Sequence, residues 1–213
     1  MISGILAKKV GMTQIFQEGK CLPVTLLEAG PCVILQVKKQ DKDGYSALQL
    51  GFDERRKKSS TRPEIGHAEK GAHTGPKKFV KEIIWDEKDE VKAGDTVNVS
   101  VLEKCQYVDI VGTSKGRGFM GCVRRYHFKG GAKSHGQSDR LRAPGAIGGS
   151  TPFKVHKGTR MPGHMGNAQC TLRGLKIIEI NAAENVLAVL GSVVGYDGGY
   201  VIIKKSRKNK KQA

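Results

Sequence analysis

The sequence predicts a mainly β protein: an antiparallel β-barrel or sandwich, interrupted by a long, basic, mostly irregular internal extension that contains a short helix. Three observations carry this. Short runs rich in Val, Ile and Leu alternate with tight polar turns over the first half; the composition changes abruptly at Gly112; and β character returns after Arg173. A chain of 213 residues suits one domain with an insertion, and it can bury a core without a disulfide or metal staple.

The elements follow in order. Residues 13–16 and 22–27 read as strands flanking the turn Gln17-Glu18-Gly19-Lys20. Residues 32–38 form a third strand, and Asp41-Lys42-Asp43-Gly44 is a turn before a fourth at 45–52. Residues 53–78 are polar, with Arg55-Arg56-Lys57-Lys58 and several Gly, Pro and His, and read as a surface excursion. Strands are expected at 79–85, 96–102 and 107–111, then at 175–180, 185–190 and 200–204, with a turn at 181–184. The expected organisation is a globular β-domain of residues 1–111 and 174–203, an extension of 112–173 and a basic tail of 204–213.

Charge follows the same division. The net charge is +17, from 37 Lys and Arg against 20 Asp and Glu. The extension holds twelve cations and a single acid, Asp139; the tail holds six cations and no acid; the remainder is neutral. Soluble surfaces intersperse both signs, and concentrating one sign is self-repulsive unless a partner neutralises it. The partner this implies is a polyanion, nucleic acid before an anionic membrane.

The extension has thirteen glycines and few large aliphatic residues. Phe119, Met120, Val123, Tyr126 and Phe128 form its one apolar cluster, at a spacing compatible with a short helix whose exposed side carries Arg124 and Arg125. The rest cannot build a core alone and is either disordered or packed against a partner; its internal position, lack of simple repeats and separate prolines favour a path ordered in its complex. Two halves of about 30 residues reach at most about 100 Å when extended. RNA recognition needs cations for phosphates, small residues for close approach and planar groups for stacking. Lys115, Arg117, Arg124, Arg125, Lys129, Lys133, Arg140, Arg142, Lys154, Lys157 and Arg160 supply the first, with His135 and His164 as polar planar contacts. Tyr126 and Phe128 read more naturally as local packing than as base stackers. The tail reads as a solvated end, a nuclear import signal or, in company with the basic extension, an auxiliary RNA contact.

Other chemistries are disfavoured. Gly112-Thr113-Ser114-Lys115-Gly116-Arg117-Gly118 is not a GxxxxGK[ST] phosphate loop, and no dinucleotide fingerprint occurs. The five cysteines are odd in number and lack a CxxC pair, which fits reduced thiols in a cytosol-like compartment and no metal site. No secretory leader opens the chain and no apolar run has the length of a membrane span. No cofactor, small-molecule substrate or membrane partner is expected, and no catalytic residues.

Specific strings resemble bacterial large-subunit ribosomal protein L-three. They are Gly4-Ile5-Leu6-Ala7-Lys8-Lys9-Val10-Gly11-Met12-Thr13; Gly112-Thr113-Ser114-Lys115-Gly116-Arg117-Gly118-Phe119 with Gly121 and Val123-Arg124-Arg125; Ser134-His135-Gly136; Pro144-Gly145-Ala146-Ile147-Gly148; and Met161-Pro162-Gly163-His164-Met165-Gly166-Asn167. They are ordered and spread along the whole chain. The resemblance implies a β-barrel on the outside of the large subunit and an arm threading ribosomal RNA toward the peptidyl transferase centre. It also implies direct binding of the large-subunit (23S) RNA near its 3′ end, a role early in assembly, and neighbours such as proteins L-fourteen and L-nineteen. By position the arm tip comprises Gly145, Ala146, Ile147, Gly148, Gly149, Ser150, Thr151 and Pro152. Some bacterial members carry a methylated glutamine at the tip; none stands here, so that modification is not expected. Without a transit segment, a bacterial rather than an organellar ribosome is implied.

The leading expectation is thus a structural RNA-binding component of the large ribosomal subunit in the cytoplasm. An RNA-modifying enzyme would need a cofactor fingerprint or a paired acid and base, and a general basic adaptor would need charge alone.

Overall fold

The computed structural model describes residues 2–87, 90–149, 151 and 153–208. In chain order the elements are β1 (Gly4–Gln17), β2 (Lys20–Glu28), β3 (Cys32–Lys38), α1 (Gln40–Asp43), β4 (Ala47–Glu54), α2 (Arg62–Ala72), β5 (Lys77–Ile84), β6 (Thr96–Val97), β7 (Tyr107–Thr113), β8 (Phe119–Met120), α3 (Cys122–Tyr126), β9 (Gly163–His164), β10 (Gln169–Asn181), β11 (Val186–Leu190) and β12 (Tyr200–Lys205). The chain forms two compact units, Met1–Thr113 with Gln169–Ala213, and Ser114–Ala168.

In the first unit the strands close into an antiparallel barrel in the order β1-β12-β7-β10-β11-β2. Side chains alternate in direction along a strand, so cross-strand partners share a face. Ile5 pairs with Ile203 and Ile203 with Ile110, and all three are fully buried in one line across three strands. Leu27 and Leu187 do the same across β2 and β11. Each such side chain contributes roughly 1.5–3 kcal/mol. Leu6 points to the opposite face from Ile5 and is equally buried, because β1 also packs against β4 and β5. That is why Gly4–Ala7 is continuously apolar rather than alternating.

A second, four-stranded sheet has the order β5-β4-β3-β6. α2 lies on β3, burying Ala68 and Ala72 with Val33 and Leu35. Residues 53–78 therefore contain a helix and are not merely a polar loop. Its start is specified locally: Thr61 and Glu64 form a reciprocal capping box, with Glu64 accepting from the Thr61 N–H at 2.9 Å. The helix was masked in the sequence because its buried stripe is alanine. The strand expected at 96–102 is confined to Thr96–Val97, and Val99–Leu102 winds into a 3-10 turn that buries Val99 and Leu102.

The chain leaves the barrel after Thr113 and rejoins it at Gln169. Gly112 and Thr113 still pair with Cys170 and Gln169, so these residues and Arg173 belong to barrel strands. Lys9, only 6% exposed, is held by the carbonyls of Val193 and Gly195, each at 3.4 Å, and by Asp197 at 3.2 Å. A buried ammonium needs such partners.

Candidate nucleic-acid interface

The second unit is built on a hairpin stem. The Ser114 N–H donates to the Ala168 carbonyl at 2.9 Å, and the Asn167 N–H to Ser114 at 3.1 Å. The Arg117 N–H donates to Met165 and the Met165 N–H to Gly118, both at 2.9 Å. β8 and β9 continue the ladder, pairing Phe119 with His164 and Met120 with Gly163. The stem closes tightly at Gly166, whose φ is +78° and where a Cβ would overlap the Lys115 carbonyl.

α3 spans only Cys122–Tyr126. The helix expected from Phe119 begins later, because Phe119 and Met120 pair in the stem instead. Phe119 is exposed and leaves the apolar cluster. Among the cluster's remaining rings, Tyr126 and Phe128 lie 6.1 Å apart. Arg125 does not sit on the open side beside Arg124. Its Nη1 donates to the Met161 carbonyl at 2.9 Å, and its guanidinium lies 4.9 Å from the Tyr126 ring centroid, with Arg160 at 5.5 Å from the same ring. Beyond α3 the chain folds back at Gly131, whose N–H donates to Leu141 at 3.0 Å. The open depression there, about 800 Å³, has Phe128, Gly130, Pro144 and Ala146 in its wall and Lys129 and Arg140 among its lining.

Lys115, Arg117, Arg124, Lys129, Lys133, His135, Arg140, Arg142, Lys154, Lys157, Arg160 and His164 are exposed, and Arg125 is half-buried. Among the described residues no ion pair engages any of these cations. The globular unit differs. There Lys38 meets Glu82 at 2.6 Å, Arg55 meets Glu64 at 3.1 Å, Lys57 meets Glu69 at 3.0 Å, Lys77 meets Glu54 at 3.3 Å and Lys78 meets Asp53 at 2.9 Å. The pairing with Glu82, followed by the Tyr45 hydroxyl, pushes the Lys38 ammonium above its ordinary pKa. Arg55, Lys57, Lys77 and Lys78 of the excursion thus have carboxylate partners, while among the described residues the cations of the extension have none.

Of the tip, Gly145, Ala146, Ile147, Gly148, Gly149 and Thr151 are exposed, whereas Ser150 and Pro152 lie outside the described residues, as do residues 209–213 of the tail. Beside them Phe153, one of the planar side chains interleaved along the extension in the sequence, is 96% exposed. Among the described residues no three His, Cys, Asp or Glu side chains converge as a metal site requires. No helix among the described residues is long and apolar enough to cross a membrane. Cys21, Cys32, Cys105, Cys122 and Cys170 are free thiols, and burial pushes the Cys32 thiol up to about 12.

The chain is similar to known proteins along its length. The family described as ribosomal protein L3 matches residues 72–200. The large ribosomal subunit protein uL3 of Herpetosiphon aurantiacus is 45% identical over 214 residues, covering 100% of both chains. That of Chloroherpeton thalassium is 46% identical over 97% of this chain and 100% of its own, and that of Dehalococcoides mccartyi 47% over 98% and 100%. Similarity of that extent spans the barrel strands and the stem alike, and the chain belongs to the ribosomal protein L3 family.

Proposed function

We propose that this chain binds large-subunit ribosomal RNA directly, with the unit Ser114–Ala168 as its main RNA-contacting element. Membership of the ribosomal protein L3 family makes it a structural constituent of the large ribosomal subunit and not an enzyme. The observation that carries the finer reading is where the ion pairs fall: among the described residues six cations of the globular unit (Lys9, Lys38, Arg55, Lys57, Lys77 and Lys78) meet carboxylates, and no cation of the extension does. Eleven exposed or half-exposed Lys and Arg groups in one small unit repel one another in the free protein, and phosphate removes that cost.

The roles divide by geometry. Lys115, Arg117, Arg124, Lys129, Lys133, Arg140, Arg142, Lys154, Lys157 and Arg160 contact phosphates, with His135 and His164 as polar contacts. Arg125 holds the two halves together. The exposed apolar side chains Ile147 and Phe153 lose water only against a partner, and RNA bases offer them flat faces. In this reading the tip around residues 145–152 points toward the peptidyl transferase centre, the protein acts early in subunit assembly, and proteins L-fourteen and L-nineteen are neighbours.

Reconstitution of large subunits from purified RNA and proteins tests this. Full-length chain should enter the particle. A variant with Arg117, Arg124, Lys129, Arg140, Lys154 and Lys157 changed to Gln should be excluded or enter at least tenfold less. Equal incorporation of the two would overturn the assignment.

A further inference from the structure

The outer face of the barrel carries a cationic groove assembled from two distant stretches of sequence. β10, β7 and β12 lie side by side, setting Lys204 opposite Asp109 and Thr171 opposite Val111. Between Leu172 and Leu175 the register of β10 against β7 shifts, and Arg173 and Gly174 occupy this bulge. Gly174, at φ +68°, donates its N–H to Asp109 Oδ1 at 2.7 Å. After β12 the chain turns at Ser206, whose N–H donates to the Tyr107 carbonyl at 3.3 Å, and Lys208 Nζ comes to 3.9 Å from the Tyr107 ring centroid. The result is an open groove of about 590 Å³ lined by Arg173, Lys204, Arg207 and Lys208.

Each of these four cations is exposed, and none has an ion pair among the described residues. The one carboxylate in the lining, Asp109, is half-buried and already accepts from Gly174. Lys204, Arg207 and Lys208 are close in sequence and strand register adds Arg173; four like charges so gathered repel unless a polyanion lies among them. Two guanidinium forks and two ammonium groups, with the Thr171 and Ser206 side chains beside them, are donors suited to successive phosphate oxygens. Among the described residues Val111, which is buried, is the only large apolar side chain in the lining, so the groove offers little hydrophobic surface to insert into a bilayer.

We propose that this groove is a second RNA backbone site, on the barrel, that binds a ribose–phosphate strand separately from the extension. It rests on the RNA-binding reading above and adds a site to it: the beginning of the basic tail is part of a built surface, not only a solvated end.

The test uses full-length protein and purified large-subunit ribosomal RNA. One variant carries R173Q, K204Q, R207Q and K208Q; another carries R117Q, R124Q, K129Q and R140Q in the extension. Hydroxyl-radical protection of the RNA should show two separable sets of riboses, the first lost only in the groove variant and the second only in the extension variant. The groove variant should also reduce the slope of log affinity against log salt by about 3. The smaller variant K204Q/R207Q spares the bulge and the Tyr107 contact, and should lose the same protections in part, so that misfolding is separable from lost contact. Unchanged protections and slope in the groove variant, with the extension set intact, would overturn the groove and leave the main reading standing. A groove variant that loses only binding to anionic vesicles, keeping its RNA protections, overturns it equally. Absence of any protection with unmodified protein would remove both.

Discussion

Arg125 on α3 and Met161 on the returning half of the extension are joined by one hydrogen bond, Nη1 to carbonyl oxygen at 2.9 Å, across 36 residues of sequence. The same guanidinium faces the Tyr126 ring, and Gly163 leaves room for it, since a Cβ there would crowd its Nη1. A basic residue in a basic segment is thus spent on architecture. R125A should speed amide exchange in the free protein over residues 119–126 and 160–165, whereas R124A should not. Global stability of the barrel should change by less than about 0.5 kcal/mol in either variant, as for surface changes away from packed features.

Gly166 closes the stem beneath that brace. G166A places a Cβ against the Lys115 carbonyl and holds alanine at positive φ, which alone costs about 1–2 kcal/mol. The expected result is loss of the pairing of residues 114–120 with 163–168 by NMR, with RNA affinity reduced at least tenfold. The barrel resonances should stay in place.

Phe153 is nearly fully exposed. F153A should leave thermal unfolding unchanged and weaken RNA binding by about 1–3 kcal/mol, the range for a base–aromatic stack. Leu6, fully buried between the barrel and the second sheet, should behave oppositely. L6A should destabilise the fold by about 2–5 kcal/mol in urea unfolding, with little effect on RNA affinity when measured on folded protein.

Acid sensitivity follows from Asp53. Its carboxylate accepts from the Tyr200 hydroxyl at 2.6 Å and pairs with Lys78 at 2.9 Å, which together hold its pKa below the ordinary 3.8. A depressed carboxyl pKa stabilises the fold above the unfolded value, and that contribution is lost as pH falls through the folded value. The stability gap between unmodified protein and D53N should therefore be present at pH 7 and shrink below about pH 4. On the alkaline side Tyr200 is pushed up to about 12 by burial first and then by Asp53. Its contribution is complete below the ordinary 10 and disappears as pH rises through the folded value. Urea midpoints of D53N and Y200F against pH measure both limbs.

Much of the fold was legible because its strands alternate or run apolar between strong turns. β2, β3, β4 and the closing strands β11 and β12 fall near their expected ranges. α2 was not legible, since its buried side chains are the small Ala68 and Ala72 within a charged segment, and burial there depends on how closely β3 approaches. The extension's charge was plain in the sequence, but the orientation of Arg125 was not. Helical spacing puts Arg124 and Arg125 100° apart on the wheel, and only the returning chain at Met161 decides which of them turns inward. Lys204, Arg207 and Lys208 were visible as part of the basic tail, but their meeting with Arg173 depends on the β7–β10–β12 register, which no local pattern encodes.

The most direct measurement of the central claim is the affinity of the full-length protein for large-subunit ribosomal RNA as a function of salt, with an unrelated structured RNA as competitor. If the extension uses about eight phosphate contacts, affinity should fall roughly a thousandfold or more between about 50 and 200 mM salt. The competitor should displace the protein poorly throughout, and the six-residue Gln variant of the extension should lose most of the slope. A shallow slope shared by that variant, or equal displacement by any RNA, would contradict the account.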